Sequence, residues 1–404
     1  MYRNGRVLNS LIFTFMNQGK YVFAQFMELI PQYALSLCID RYSGEKRIRS
    51  LSCYDQFLVM SFGQLTSRES LRSTMLCLDA HRNKLYHLGF RGTLARRTLS
   101  DANEKRNWRI YQDFALILIA QAQKLYGSDS EIHKDVTWAI YALDSTTIDL
   151  CMSLFPWATF RTTKSAVKMH TLLDIRTSIP TFISITEASC SDVNIWPDII
   201  PESWAWYIVD RGYIDFCDFY RLTQSLCFFV TRAKKNVAWK RIRSRDVSEV
   251  QKKSGIRCDQ IMRFTTHKAQ KDYLDIIRRI KYFDEETEQY FIFMTNNMTV
   301  DPIVIAQLYK SRWQVELFFK WIKQHLCIQT FWGFSENAVK TQIWIAVSTY
   351  VLAAILKKHC ALPQTLYEIL QILWVSVFDK SPISSLFLNH DLQNISDQDQ
   401  TSLF

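Results

Sequence analysis

Two apolar runs that each end on an aspartate restrict this chain more than any other feature: VTWAIYALD at 136–144 and WAWYIVD at 204–210. Both are rich in β-branched and aromatic side chains and predict buried β-strands. Between them, AVKMHTLLDI and PTFISITEA, separated by a turn at RTS, predict a strand pair. DFYRLTQSL and then CFFVTRA (227–233) predict a helix followed by a further strand. Three strands followed by alternating strand and helix describe a mixed α/β sheet rather than a uniformly parallel one.

The stretch YKSRWQVELFFKWIK (309–323) predicts a helix to pack on that sheet. On a helical wheel Tyr309, Arg312, Glu316 and Lys323 share an arc of roughly 60°. Trp313, Val315, Leu317, Phe318, Phe319, Trp321, Ile322 and Leu326 run around most of the rest, the pattern of a core helix. A carboxylate on such a helix has to be neutralised, paired or bound to a metal. Arg312 and Glu316 also have the i, i+4 spacing of an ordinary helix salt bridge, and this stretch alone leaves both readings open.

At 404 residues, 48% of them hydrophobic, the chain can bury a sizeable core and is expected to form two or three units. It is not a disordered sequence. Its formal charge of +10 is concentrated, because residues 232–282 hold 16 Lys and Arg against 5 Asp and Glu. Such a block reads as a polyanion contact, most often nucleic acid, although a solvated Lys-rich loop has the same composition. The ten cysteines include no CxxC and no histidine cluster lies beside them, which argues against zinc and against a disulfide framework. MYRNGRVLNSLIFTF has a short apolar run and no small-residue cleavage site, so it is not read as a secretory signal. IWIAVSTYVLAAIL (343–356) is short for a membrane span and carries Ser348 and Thr349, so a buried helix is expected. These features describe a cytoplasmic protein with no membrane partner.

Residues from about 16 to 125 have helical character. SRESLRSTMLCLDAHRNKLYHLG (67–89) stops at Gly89, and after FRG, Thr93 is placed to cap a second helix carrying Arg96, Arg97, Lys105 and Arg106. Two helices across a glycine-containing turn, the second basic, fit helix-turn-helix DNA binding; helical hairpins with no DNA role have the same pattern. Inside the basic block, QIMRFTTH, LDIIRRIKYF and QYFIFMTNN predict strands, so 232–295 reads mainly as a β-rich insertion. DPIVIAQLY then leads into the 309–323 helix.

Asp144, Asp210 and Glu316 are the acidic residues these elements can bring together. Neighbouring strands can place two carboxylates side by side, and a helix packed across them can add a third. Three bare anions cannot share a dry site, and hard oxygen ligands favour Mg²⁺ or Mn²⁺. Two such ions suit in-line displacement at phosphorus. Each aspartate also has a plain reading, Asp144 in DSTT as the cap of a turn and Asp210 in DRGY as part of a tight turn. Lys168 and His170, two apart on one strand, share a face that fits a DNA channel or merely the outside of a sheet.

DSTT at 144, DRGY at 210 and the spacing of Tyr309, Arg312, Glu316 and Lys323 resemble the signatures of DDE transposases of insertion-sequence family 4. The resemblance begins near Met16, which makes Met1–Phe15 an extension or an upstream start, and MNQGKYVFAQF and TLSDANEKR are similar to the N-terminal domain of one branch of that family. It implies an α/β fold: a ribonuclease H-like catalytic core, a mixed sheet flanked by helices, with a β-rich insertion and a helical N-terminal domain. The expected division is 1–130 helical DNA-binding domain, 131–231 first part of the core, 232–295 basic insertion, 296–385 second part of the core, and 386–404 polar tail.

The resemblance further implies that Asp144, Asp210 and Glu316 ligate two Mg²⁺ ions, with Mn²⁺ able to substitute, and that Tyr309, Arg312 and Lys323 contact phosphates. Double-stranded DNA, as transposon ends and target, is the expected partner, with a homodimer in the synaptic complex. The expected reaction is hydrolysis at each end of the element, then attack of the freed 3′-hydroxyl on target DNA. Some family members first close a hairpin with a base flipped onto an aromatic side chain, and Trp239, among Lys234, Lys235, Lys240, Arg241 and Arg243, is the candidate for that stacking; a core tryptophan is the simpler alternative. A domesticated DNA-binding protein without cleavage activity and a metal-dependent nuclease without strand transfer are the other readings.

Overall fold

The structure is a computed structural model, and it describes residues 19–46, 48–91, 94–127, 138–161, 164–325 and 331–387. Met1–Phe15, the Thr93 cap, the first two residues of the 136–144 run, Leu326 and the polar tail past 387 lie outside the described residues. The chain divides into two compact units, Ser128–Phe319 and Met1–Gly127 with Lys320–Phe404.

The second of these units is helical. Its long helix, Glu336–His359, starts at Ser335, whose Oγ accepts from the Ala338 amide, and it buries nearly every side chain from Ala338 to Leu356. Among the described residues it is the one helix long and apolar enough to cross a membrane, and its apolar window is 94% buried by the rest of the protein. Against it pack Cys53–Leu65, opened by a capping box between Ser52 and Asp55, and Arg109–Tyr126. The stretch 67–89 is not one helix as its periodicity predicts. Ser70 caps a helix confined to Leu71–Ala80, His81 leaves helical geometry, and two single 3₁₀ turns carry the chain to Gly89 at φ 100°. The following helix is Arg96–Lys105, with Arg96 and Arg97 exposed in its first turn.

The other unit is built on a ten-stranded sheet. Its strands are β1 (Ile140–Leu150), β2 (Thr159–Arg161), β3 (Lys164–Asp174), β4 (Ile179–Glu187), β5 (Trp206–Val209), β6 (Phe228–Arg232), β7 (Trp239–Arg245), β8 (Ile256–Phe264), β9 (Ile277–Asp284) and β10 (Gln289–Thr295). β4, β3 and β1 are antiparallel neighbours, and β5 and β6 then add parallel to β1. That order, β4-β3-β1-β5-β6, is a ribonuclease H-like core, and the helix Phe216–Gln224 makes the crossover between the two parallel strands. β10, β9, β8 and β7 continue the same sheet as an antiparallel meander from β6. β7 has no counterpart among the strands predicted from sequence, because Lys240–Ser244 are all exposed and the strand has no buried alternation to announce it.

A buried ion pair fastens the meander internally. Arg278, 1% exposed, donates to both carboxylate oxygens of Asp259 at 2.9 and 2.7 Å and to the carbonyl of Val300 at 2.6 Å. Fork-to-fork pairing of this kind satisfies a charge that the interior would otherwise reject. One face of the sheet carries an apolar cluster, with Leu143, Tyr207, Val209 and Phe229 packed with Trp196, Phe219 and Leu222. Asp144, Asp210 and Arg232 lie on the other face, at the ends of runs that are otherwise largely apolar.

Candidate active site

Register and pleat decide which side chains meet. β1 and β5 are parallel, with Leu143 beside Val209 as their last partners. Side chains alternate along a strand, so Ala142 and Asp144 share one face, and Ile208 and the still-extended Asp210 share it with them. Two aspartates are therefore neighbours where β5 ends. Asp144 itself does not end its strand, contrary to the sequence expectation. β3 pairs with β1 as far as Leu150, and only the parallel pairing stops at Asp144. DSTT is thus strand rather than a capped turn. At the end of β6, Arg232 has the same parity, and its Nη2 donates to Asp210 Oδ1 at 3.0 Å.

The third carboxylate arrives on a helix with a break beneath it. Residues 309–323 do not form one helix. Pro302–Ser311 ends, Arg312 (φ −54°, ψ −30°) stands between, and Trp313–His325 begins. The expectation of a helix buried around most of its circumference also fails, because Trp313 and Leu317 are 52% and 44% exposed while Val315, Phe318, Phe319 and Ile322 are buried. Of the polar arc, Tyr309, Arg312 and Glu316 meet at the aspartates. Tyr309 Oη donates to Asp210 Oδ1 at 3.2 Å, Arg312 Nη1 donates to Asp144 Oδ2 at 2.5 Å, and Arg312 Nη2 donates to Glu316 Oε1 at 2.6 Å. Arg312 thus joins a strand carboxylate to a helix carboxylate, and the i, i+4 salt bridge is one arm of that bridge. Lys323 lies two turns beyond Glu316 on the same helix.

The electrostatics are those of crowded anions. Burial raises Asp144 from 3.8 to about 6; Arg312 opposes this, and Asp210 and Glu316 add repulsion. Burial also acts on Asp210, but the Arg211 amide with Arg232 and Arg312 outweighs it and holds that carboxyl below its usual range. Arg312 Nε is buried without a hydrogen-bond partner. Oxygen donors alone, held under mutual repulsion, suit a hard divalent cation, so the residues present fit Mg²⁺ or Mn²⁺. Among the described residues no three of His, Cys, Asp and Glu stand close enough to hold one ion together. Arg312 occupies the space between Asp144 and Glu316, and the guanidinium must withdraw for all three carboxylates to share a cation. Beside Tyr309 and Arg312 opens a cleft of about 480 Å³ walled by Phe291, Phe293, Trp313 and Arg232.

Trp239 is not brought to this face. Its ring is half-buried against the apolar cluster on the opposite side of the sheet, with the Arg279 guanidinium 5.8 Å from its centroid. Lys240 and Arg241 follow it, exposed along β7. Arg232 was missed as a site residue, because its shared face with Asp210 follows from the register of β5 and β6 and not from CFFVTRA alone. Lys168 and His170 do share a face, but it is the face opposite Asp144. His170 is fully buried between Tyr213 Oη (3.2 Å) and Thr186 Oγ1 (3.1 Å).

Burial lowers His170 from 6.5 to about 4, with Asp192 opposing and Lys168 adding to the shift. The native state therefore keeps the ring neutral while the unfolded chain takes up a proton below about 6.5. The stability this gives is complete above that pH and is lost as pH falls toward 4, by about 3 kcal/mol in all. Urea unfolding of the parent between pH 7 and 4 should show this loss, and His170→Gln should flatten it.

Residues 139–352 match the family described as Transposase DDE domain, and residues 18–91 match a domain of unknown function, DUF4372. A relative from Sinorhizobium fredii, described as a transposase (y4zB), is 29% identical over 72% of this chain and 79% of its own length. A second, from Geobacillus stearothermophilus, is described as a transposase for insertion sequence element IS5377 and is 28% identical over 52% of this chain and 54% of its own length. A third, from Synechocystis, is described as a transposase for insertion sequence element IS4SA and is 25% identical over 68% of this chain and 76% of its own length.

Proposed function

This chain belongs to the Transposase DDE domain family as an insertion-sequence-type transposase, and on that premise we propose that it binds the terminal inverted repeats of its own element, cleaves DNA there and joins the freed ends to target DNA. The observation that carries the proposal is the register of β1 and β5, which makes Asp144 and Asp210 neighbours on one face, with Arg312 linking Asp144 to Glu316.

Asp144, Asp210 and Glu316 are the residues that would hold two Mg²⁺ ions, or Mn²⁺ in their place. Bound there, the ions supply Lewis-acid activation of the attacking hydroxyl and neutralise charge developing at phosphorus. The chain does the rest. Arg232 and Tyr309 fix the Asp210 carboxylate, one oxygen of which accepts from both. Arg312, once released from its carboxylates, has the planar fork that grips two phosphate oxygens. Lys323 on the same helix acts as a point charge toward the backbone. The exposed Lys240 and Arg241 on β7, and Arg96 and Arg97 on the helical unit, supply sequence-independent attraction to the duplex. Joining two ends calls for two copies of the chain, so a homodimer in the synaptic complex is part of the proposal, as is action on DNA in the bacterial cytoplasm.

Purified protein incubated with supercoiled plasmid carrying the gene's flanking DNA tests the reading. Breaks at the element ends in Mg²⁺ or Mn²⁺, and none in EDTA, are the expected result. Tight end binding with no break under any metal would instead favour a DNA-binding protein that has lost cleavage.

A further inference from the structure

On the face of the sheet opposite the carboxylates, Asp192 is hydrogen-bonded to the segment that carries Asp144 and lies against the turn that follows Asp210. It opens the 3₁₀ segment Asp192–Asp198, which the sequence reading assigned no role. Ser145, next to Asp144 and therefore on the opposite face, donates from Oγ to Asp192 Oδ1 at 2.9 Å. Lys168 donates to the same oxygen at 3.2 Å and to the Cys190 carbonyl at 2.7 Å. His170, paired with Ser145 across β1 and β3, has Nδ1 3.8 Å from that oxygen and 3.2 Å from the Tyr213 hydroxyl.

The other side of Asp192 meets the turn after Asp210. A methyl group added at Gly212 would stand 3.0 Å from Asp192 Oδ2, so any larger residue there would press the carboxylate away from the DRGY backbone by a few tenths of an ångström. Tyr213 is anchored as well, its carbonyl accepting from Trp196 Nε1 at 2.9 Å. Ser145, next to Asp144, and Tyr213, three residues past Asp210, are thus held by one short segment and by β3. The charge is balanced locally, since Lys168 neutralises Asp192 and no net negative charge is added behind the carboxylates.

We propose that Asp192, braced by Lys168 and His170, is a positioning residue that sets the spacing of Asp144 and Asp210 from behind the sheet. It touches neither DNA nor the reacting atoms. The inference rests on Asp144 and Asp210 acting as metal ligands, and it adds a supporting group whose loss loosens cation binding by the ten- to hundredfold typical of outer-sphere partners.

The experiment measures Mn²⁺ binding to the free full-length protein by electron paramagnetic resonance, alongside cleavage rate as a function of Mg²⁺ concentration. Asp192→Ala should weaken Mn²⁺ binding and raise the half-saturating Mg²⁺ concentration by about ten- to hundredfold, while the rate at saturating Mg²⁺ falls much less. Asp192→Asn, which keeps an acceptor for Ser145 and Lys168, should restore most of the affinity. Ser145→Ala, a milder lesion, should shift it in the same direction and covers the case in which Asp192→Ala fails to fold. A uniform loss of rate in all three variants, at unchanged Mn²⁺ affinity and unchanged metal dependence, would mean a structural role only and would overturn the clamp. If Asp144→Asn binds Mn²⁺ as tightly as the parent, the carboxylate site itself is misassigned and the clamp falls with it.

Discussion

Glu316→Gln is expected to slow cleavage at the element ends by at least about a thousandfold, about 4 kcal/mol of barrier, while leaving end binding in place. The substitution is nearly isosteric and removes one charge. Its structural cost is small, because Glu316 is 57% exposed and its bond to Arg312 is an i, i+4 pair of a kind contributing about 0.3–0.5 kcal/mol. Chemistry and folding are therefore separable at this position in a way they are not at Asp144, which is largely buried and takes part in the sheet. Single-turnover cleavage, a gel shift on end DNA and a thermal melt together check it. A variant that cuts within tenfold of the parent, in protein free of host nuclease, would mean that Glu316 does not belong to the reacting centre.

How much of this site could be read in advance depended on whether periodicity or tertiary contact decides each residue. The aspartates were legible because each closes an apolar run, whereas their shared face follows from the register of β1 and β5, which neither strand discloses by itself. Asp144 was nevertheless put at a strand end. The residues after it, Ser145, Thr146 and Thr147, are polar, and nothing local announces that β3 will pair with them to Leu150. The break at Arg312 was illegible for a similar reason. No glycine or proline marks it, and a wheel drawn through it still groups Tyr309, Arg312 and Glu316 correctly, since a single residue outside helical bonding rotates the arc only slightly. Trp239 shows the opposite failure. Its basic neighbours suggested a nucleic-acid contact, whereas Arg279, some 40 residues later in the chain, caps its ring on the core side of the sheet. Asp192 sits in SCSDVNIWPD, which has neither strand nor helix periodicity, so only the hydrogen bonds from Ser145 and Lys168 single it out.

Arg312 is the residue whose replacement by its nearest relative should reveal most. Its guanidinium is 13% exposed and spans two carboxylates at once, at 2.5 and 2.6 Å. A lysine ammonium in the same place can meet one of them but not both, and it cannot grip a phosphate through two oxygens. Arg312→Lys is therefore expected to lower cleavage by about a hundredfold or more, even though the charge is kept. End binding should change little, the salt dependence of affinity losing about one phosphate contact at most. Arg312→Met goes further. Arg312 is the main influence opposing the rise of the Asp144 pKa, which stands at about 6 with the guanidinium present. Removing it raises that pKa, and protons then compete with the metal over a wider range, because only the carboxylate form binds a cation. Mn²⁺ affinity of the free variant should begin to fall at a higher pH than in the parent as the solution is acidified from pH 9. Titration of both proteins with Mn²⁺ across that range decides the matter: superimposable pH profiles, with cleavage by Arg312→Lys near the parental rate, would mean that the contact between Arg312 and Asp144 has no bearing on the working site.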